Sequence, residues 1–423
     1  MKFLFSDSLD YVDPEYDFQS DRNGASRRRH EDDQFPHEHL ATAPYDGILI
    51  SRAIVGGRRR GGKYTDAECM RFWREGARRF LRYPLSRYPN SMVMGDCGAF
   101  SYRNLAAPPY SVEDTLDFYA DGGFTHGCSV DHVIFDFNEG SAKPSADARE
   151  RYEITQENAR AFFRRARGMR GFTPVGVIQG WSPLSMGRAA GSLAAMGYRY
   201  VAVGGMVPRK TPQIAMALAA IREAIPSSVR LHVLGFGKTE NLDLLRYYKV
   251  GSFDTTSPLL RAFKDAKKNY YALRTDGQLD YYTAVRIPQA IDNAKLLRHA
   301  KRGSLDEDRL LHLEAAALHA VRTYGDGRCS VSDAVEAVIA YGRYALWDDR
   351  LRDERNERRL HDLRKAYTRT LRDRAWDRCD CRVCQETGVE ALIFRSSNRN
   401  KRRGIHNLHV FYASVRAADT RRR

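Results

Sequence analysis

Hydrophobic positions along the chain fall in short runs at a regular beat. They are KFLFS (2–6), GILISRAIV (47–55), SMVMGD (91–96), DHVIFDF (131–137), PVGVIQG (174–180), YVAVGG (200–205), LHVLGFG (231–237) and GSFDTT (251–256). Each is a few residues long and most carry β-branched or aromatic side chains, as buried parallel strands do. Helical patterns lie between most of them. SVEDTLDFYADGG begins on a serine cap, SADARERYEITQENARAFFRRARGM and SPLSMGRAAGSLAAMG follow later strands, and TPQIAMALAAIREAI opens with a threonine cap and a proline at the first helical position. KTENLDLLRYYKVG closes on glycine just past its last turn. Alternating strand and helix with eight strand candidates predicts an α/β fold, a (β/α)8 TIM barrel rather than an open sheet. Between the first two runs there is no clean helix.

After residue 260 the beat stops. From about 285 to 378 the pattern is helical and dense in arginine, as in LRDERNERRLHDLRKAYTRTLRDRAWDR. At 423 residues the chain exceeds the size at which one core stops growing, so one large domain with additions is expected. Lys and Arg number 69 against 53 Asp and Glu, a net charge of +16, which suits a polyanionic partner such as nucleic acid without separating DNA from RNA. For the Arg-rich helices, phosphate contact and a solvated face both fit; for the final RRR a disordered end is expected. Apolar residues make up 43%, fitting a soluble globular protein. No apolar run reaches the ~18–20 residues that span a bilayer, so no membrane association is expected. The N-terminus turns acidic after five residues and lacks a signal-peptide core, so a cytoplasmic protein is expected. Seven cysteines, an odd number and mostly scattered, argue against a disulfide framework.

Three of those cysteines, Cys379, Cys381 and Cys384, sit in RCDCRVC. Thiolates so close together bridge one another only with strain, yet all can turn toward one cation. Zinc takes four tetrahedral ligands, often Cys3His, and a closed set is structural because no position stays open for water. The fourth ligand is expected downstream in IHNLHVF: His406, which begins an apolar stretch, with His409 in reserve. The chain thus divides into an N-terminal segment (1–44), a barrel (45–265, with a further first-strand candidate at 2–6), a helical insertion (266–378), a zinc-binding subdomain (379–412) and a basic tail (413–423).

Barrel enzymes gather their chemistry at the C-terminal strand ends. There the sequence offers Asp96 followed by Phe100, Asp136 in DHVIFDF, Gln179 and Gly180 in VIQG, Gly204 and Gly205 in VAVGG, and Asp254 in SFDTT. One acid at a strand end is as often a helix cap as a catalyst, but three with an amide and paired glycines describe a site. Glycines let a flat ligand approach backbone amides, Phe100 can stack on its face, and a carboxylate with an amide can read a purine-like edge. Two further carboxylates suit glycosyl chemistry, one attacking an anomeric carbon and one handling a proton. Metal binding by these acids is the competing use; no histidine or D-x-D spacing accompanies them.

Together these segments resemble the tRNA-guanine transglycosylase superfamily, (β/α)8 barrels with a Cys3His zinc subdomain that exchange guanine in a polynucleotide for a 7-deazaguanine base. GDCGAF resembles that family's D-S-G-G-F, FDF its base-recognising segment, VIQG its V-Q-G, VGG the next glycine pair, and SFDTT the segment with the nucleophile. The resemblance implies Asp254 as nucleophile, Asp96 as acid/base, and Phe100, Asp136, Gln179, Gly180, Gly204 and Gly205 around the base. Cys97 and Ala99 depart from the first motif, TTSPLLRAFKD replaces a P-T-R run after Asp254, and a long helical stretch precedes the cysteines. The whole is more similar to the DNA-modifying branch that inserts 7-cyano-7-deazaguanine into DNA, which FSDSLDYVDPEYDF and YDGILISRA also resemble. A tRNA enzyme and a non-catalytic nucleic-acid-binding paralogue are the alternatives. Relatives that dimerise extend the expectation to a homodimer, and the branch's DNA-modification systems extend it to partner proteins.

Overall fold

Eight parallel strands close into a barrel in sequence order: β1 Lys2–Ser6, β2 Gly47–Ser51, β3 Met92–Asp96, β4 His126–Cys128, β5 Thr173–Ile178, β6 Tyr200–Val203, β7 Arg230–Val233 and β8 Ser252–Thr255. Closure runs through β1, whose Leu4 pairs with Asp254 on one side and with Gly47 on the other. The computed structural model describes all residues except 41, 57–62, 141–142, 237–238, 292–295, 297–305, 349 and 421–423. The final RRR, Gly237 of the seventh apolar run and much of the 292–305 stretch therefore lie outside the described residues.

The expected helices form where their caps stand. Ser111, Ser145 and Ser182 each accept a backbone N–H three residues on, opening Val112–Asp121, Ala146–Ala166 and Pro183–Met196. Thr211–Ala224 begins one residue earlier than expected, with Lys210 at the N-cap position and no side-chain cap bond there.

The fourth strand lies upstream of its expected position. β4 is His126–Cys128, and DHVIFDF has left the ladder. Val133 and Ile134 are buried while Phe135 is exposed, on irregular backbone whose polar groups are met by side chains. His132 N–H goes to Thr155 Oγ1 and Ile134 N–H to Gln179 Oε1, while Arg151 and Arg209 donate to the carbonyls of Val133 and Ile134. A buried apolar run satisfied in this way has the hydropathy of a strand without its pairing.

The chain divides into two compact units that differ from the expected boundaries. One comprises Met1–Leu9 and Tyr45–Ser257, so β1 belongs to the barrel; the other comprises Asp10–Pro44 and Pro258–Arg423. In the second unit the expected insertion and cysteine subdomain are one body. Tyr270, Val285, Val321, Val338 and Tyr367 share an apolar core with Cys381, Val383, Cys384 and Ile393. The stretch is not purely helical: β9 Tyr270–Leu273 and β10 Leu279–Tyr282 form a hairpin, and β11 Val285–Arg286 pairs with β12 Ile393–Phe394. Residues 413–420 of the expected tail are the end of a helix, Ser397–Thr420.

Candidate active site

Side chains alternate across each strand, so every second residue points into the barrel. Leu4, Met92, Met94, Val175, Val177, Tyr200 and Ala202 fill its interior as one apolar cluster. Two residues further toward the C-terminal rim along the same inward rows come Ser6, Asp96, Gln179 and Gly204, and Asp254 follows Ser252 on β8. Apolar layers below and polar residues on top follow from strand period and register alone.

Asp254 is 4% exposed and its two oxygens are held unequally. Oδ1 accepts from the Gly235 N–H at 2.8 Å and faces His232 Nε2 at 3.1 Å; Oδ2 accepts from the Ser6 hydroxyl at 2.6 Å. Asp96 accepts the Gly98 N–H at 3.1 Å. Burial, then the neighbouring carboxylates of Asp131 and Asp254, push its pKa up to about 8. Near neutrality it therefore holds a proton, while Asp254 beside it is wrapped in donors. A protonated acid near a second carboxyl group held by donors is a pairing suited to glycosyl transfer.

Gln179 lies in the same cluster. Its Nε2 donates to Asp131 Oδ2 at 2.6 Å and its Oε1 accepts from Ile134 N–H, which fixes the amide's orientation. Asp131 is 2% exposed, also accepts the Cys97 thiol at 2.9 Å, and has a pKa raised by burial against the pull of those two donors. Tyr102 donates to the Cys97 sulfur and to the Asp131 carbonyl. A Cβ on Gly204 would stand 2.2 Å from Gln179 Nε2, and Gly205 has φ +69° with Gln179 Oε1 and the Ile134 carbonyl near its missing Cβ. The paired glycines thus make room for the Gln179 amide, where the sequence suggested room for a ligand. Gly180 lies against Met186 and Ser185, at the start of the helix Pro183–Met196.

Asp136 is not brought into this cluster. Its exposed carboxylate accepts the Ser145 hydroxyl at 2.7 Å, and the acid beside Asp96 and Gln179 is Asp131. The sequence signal for Asp131 was present at the head of DHVIFDF, but reading that run as a strand moved the strand end, and the candidate acid, five residues along. His232 and Ser6 were also missed, since one inward histidine or serine in a barrel strand is ordinary. Phe100 is 56% exposed, edge-on to the exposed Phe135 at 6.1 Å between centroids, with the Arg103 guanidinium 4.7 Å from its ring.

In the second unit, the sulfurs of Cys379, Cys381 and Cys384 stand 3.5, 3.4 and 3.3 Å from His406 Nδ1. Bond lengths of about 2.3 Å to sulfur and about 2.0–2.1 Å to nitrogen at a tetrahedral angle give edges of about 3.6 Å, so the four atoms have the spacing of one metal's ligand set. His406 Nε2–H donates to the Tyr271 carbonyl at 2.8 Å, leaving Nδ1 free to ligate, and Tyr270 stacks on the ring at 4.1 Å. These four residues can hold a metal ion. His409 instead faces Asp380 Oδ1 at 3.1 Å.

Several residues of the basic segments are committed to partners within the chain. Arg364 pairs with Glu336, Arg343 with Glu357 and Arg369 with Asp280. Arg399 and Arg403 are fully buried, Arg399 on Asp21 and Glu390, and Arg403 on the carbonyls of Ala262, Ala391 and Ile393. No helix among the described residues is long and apolar enough to cross a membrane.

Among characterised proteins, a DNA-guanine transglycosylase from Salmonella montevideo is 40% identical over 418 residues, covering 97% of this chain and 96% of its own length. No family model matches the chain.

Proposed function

Because the chain belongs to the DNA-guanine transglycosylase family and is a pentosyltransferase, we propose that it exchanges guanine in DNA for a 7-deazaguanine base, 7-cyano-7-deazaguanine, through a covalent aspartyl-sugar intermediate. The observation that carries this reading is a pair of unlike acids, Asp254 buried and wrapped in donors beside Asp96 with its pKa pushed up to about 8.

A deoxyguanosine turned out of its stack presents C1′ to Asp254. A carboxylate oxygen forms a bond to C1′, the C1′–N9 bond breaks, and its electron pair leaves on the guanine, which takes the proton held by Asp96. The deazapurine then enters the same pocket. Asp96, now a carboxylate, accepts its N9 proton; N9 bonds to C1′ and the ester oxygen departs, restoring Asp254. Microscopic reversibility makes one residue acid in the first half and base in the second. Water is kept from the ester because hydrolysis would leave an abasic site.

Gln179 and Asp131, locked together, support reading of the guanine edge from the pocket floor, with Phe100 stacking on the base and the exposed Asp136 reaching it from the rim. Cys379, Cys381, Cys384 and His406 would hold a structural zinc ion, which when bound joins the cysteine turn to the helix Ser397–Thr420. We assign the enzyme to the cytoplasm, where DNA and reduced thiols coexist, with a homodimer and partner proteins as further parts of the reading.

Exchange of labelled guanine into duplex DNA and into tRNA tests the function. Incorporation into DNA alone is expected. Incorporation into tRNA alone would replace the substrate, and incorporation into neither would remove the activity.

A further inference from the structure

The two oxygens of Asp254 are not equivalent, and the difference is built by a row of buried side chains that the proposed reaction does not otherwise use. His232 is fully buried on β7, with Nε2 3.1 Å from Asp254 Oδ1 and Nδ1 2.6 Å from Ser252 Oγ; Ser252 Oγ is in turn 2.5 Å from the Tyr200 hydroxyl. A carboxylate only accepts, so Nε2 carries the proton in that contact. With a neutral imidazole the remaining hydrogens align in one direction: Tyr200 O–H to Ser252 Oγ, Ser252 O–H to His232 Nδ1, His232 Nε2–H to Asp254 Oδ1. With the Gly235 N–H at 2.8 Å, Oδ1 is held by two N–H groups mounted on β7 and the turn after it. Among the described residues Oδ2 has one donor, the rotatable hydroxyl of Ser6.

We propose that Asp254 reacts through Oδ2, and that His232, aligned by Ser252 and Tyr200, is the positioning residue that holds Oδ1 as the acyl oxygen. When Oδ2 bonds to C1′ and the C1′–N9 electron pair leaves on guanine, Oδ1 becomes the ester carbonyl and keeps both N–H donors. When N9 of the incoming base displaces the ester, the returning negative charge spreads onto an oxygen already cradled, with no reorganisation. Ser6 behaves oppositely: its donor stabilises the free carboxylate and must release Oδ2 as the bond forms.

This inference rests on Asp254 being the nucleophile, and the experiment separates the two claims. Full-length protein is mixed with saturating guanine-containing duplex DNA without incoming base, and the covalent protein–DNA adduct is followed on denaturing gels. His232→Phe is expected to slow adduct formation about 10- to 100-fold with DNA affinity and melting temperature held. His232→Gln restores an N–H donor near Nε2 and is expected within about threefold of the parent by the same donor argument. Ser6→Ala is expected to form adduct at least as fast as the parent. Should His232→Phe fail to fold, Ser252→Ala, a small change, decides through a slowing of roughly 3- to 10-fold as the imidazole loses its anchor. Parental rates in His232→Phe or Ser252→Ala, a Gln variant as slow as Phe, or a Ser6→Ala variant slowed as much as His232→Phe would each overturn the inference and leave the nucleophile assignment standing. Absence of any adduct in the parent would remove the assignment itself.

Discussion

Replacing Asp96 with asparagine removes its titratable proton while keeping the side chain's shape. The folded-state pKa of about 8 against an ordinary 3.8 means that the folded protein binds a proton that the unfolded chain gives up between about pH 4 and 8. Stability contributed at this residue is therefore present at low pH and lost as pH rises through that window. At about 1.36 kcal/mol per pKa unit, the full displacement costs ~5–6 kcal/mol above pH 8, of which ~1.5 is already incurred at pH 5. Relaxation and water entry reduce the difference between pH 5 and 9 to about 2–4 kcal/mol. The unit containing Asp96, Met1–Leu9 with Tyr45–Ser257, is in the size range where 1 kcal/mol moves the melting temperature by about 2–4 °C. The gap in melting temperature between Asp96→Asn and the parent is thus expected to widen by ~5–15 °C from pH 5 to 9, the variant being more heat-resistant at high pH. Exchange by the variant is expected to fall by at least about 100-fold at every pH, since asparagine neither gives nor takes the proton. A gap that stays constant from pH 5 to 9 would show that Asp96 titrates as an ordinary carboxylate and would refute the acid/base argument.

Gly204→Ala puts a methyl group where Gln179 Nε2 lies; a stability loss of ~1–3 kcal/mol is expected, with guanine KM raised by an order of magnitude or so, and unchanged KM would disconnect Gln179 from the base. Purified protein is expected to carry about one zinc per chain by elemental analysis. His406→Ala should abolish that content and lower stability while His409→Ala keeps it, and equal retention in both would exclude the Cys3His set. Arg399→Leu leaves Asp21 and Glu390 without their buried guanidinium, and denaturant unfolding should show a loss of about 3–5 kcal/mol; a loss under 1 kcal/mol would mean that the pairs are worth no more than surface ones.

Much of the barrel was legible because seven of its eight strands are apolar runs that also pair, with Asp96, Gln179 and Asp254 at or just beyond strand ends. The exception shows the limit of hydropathy. The first four residues of DHVIFDF are buried yet unpaired, backbone polar groups there being met by Thr155, Arg151, Gln179 and Arg209 from distant positions, and no local pattern encodes that. The cysteine cluster was legible from spacing, but the choice of His406 over His409 depends on which side of one helix faces the turn. Positive charge was the least informative signal. Arg399 and Arg403 read only as positive charge near the C-terminus, whereas they are buried struts with partners far away in sequence, such as Asp21 and Ala262. The polar row from Tyr200 to Asp254 was invisible because its members sit on three strands.

The most direct measurement is mass spectrometry of the protein–DNA adduct after nuclease and protease digestion. A deoxyribose-derived mass is expected on the peptide containing Asp254, chased away by incoming base and absent in Asp254→Ala, which should also lose exchange. A sugar attached to any other residue, or Asp254→Ala exchanging guanine at the parental rate, would contradict it.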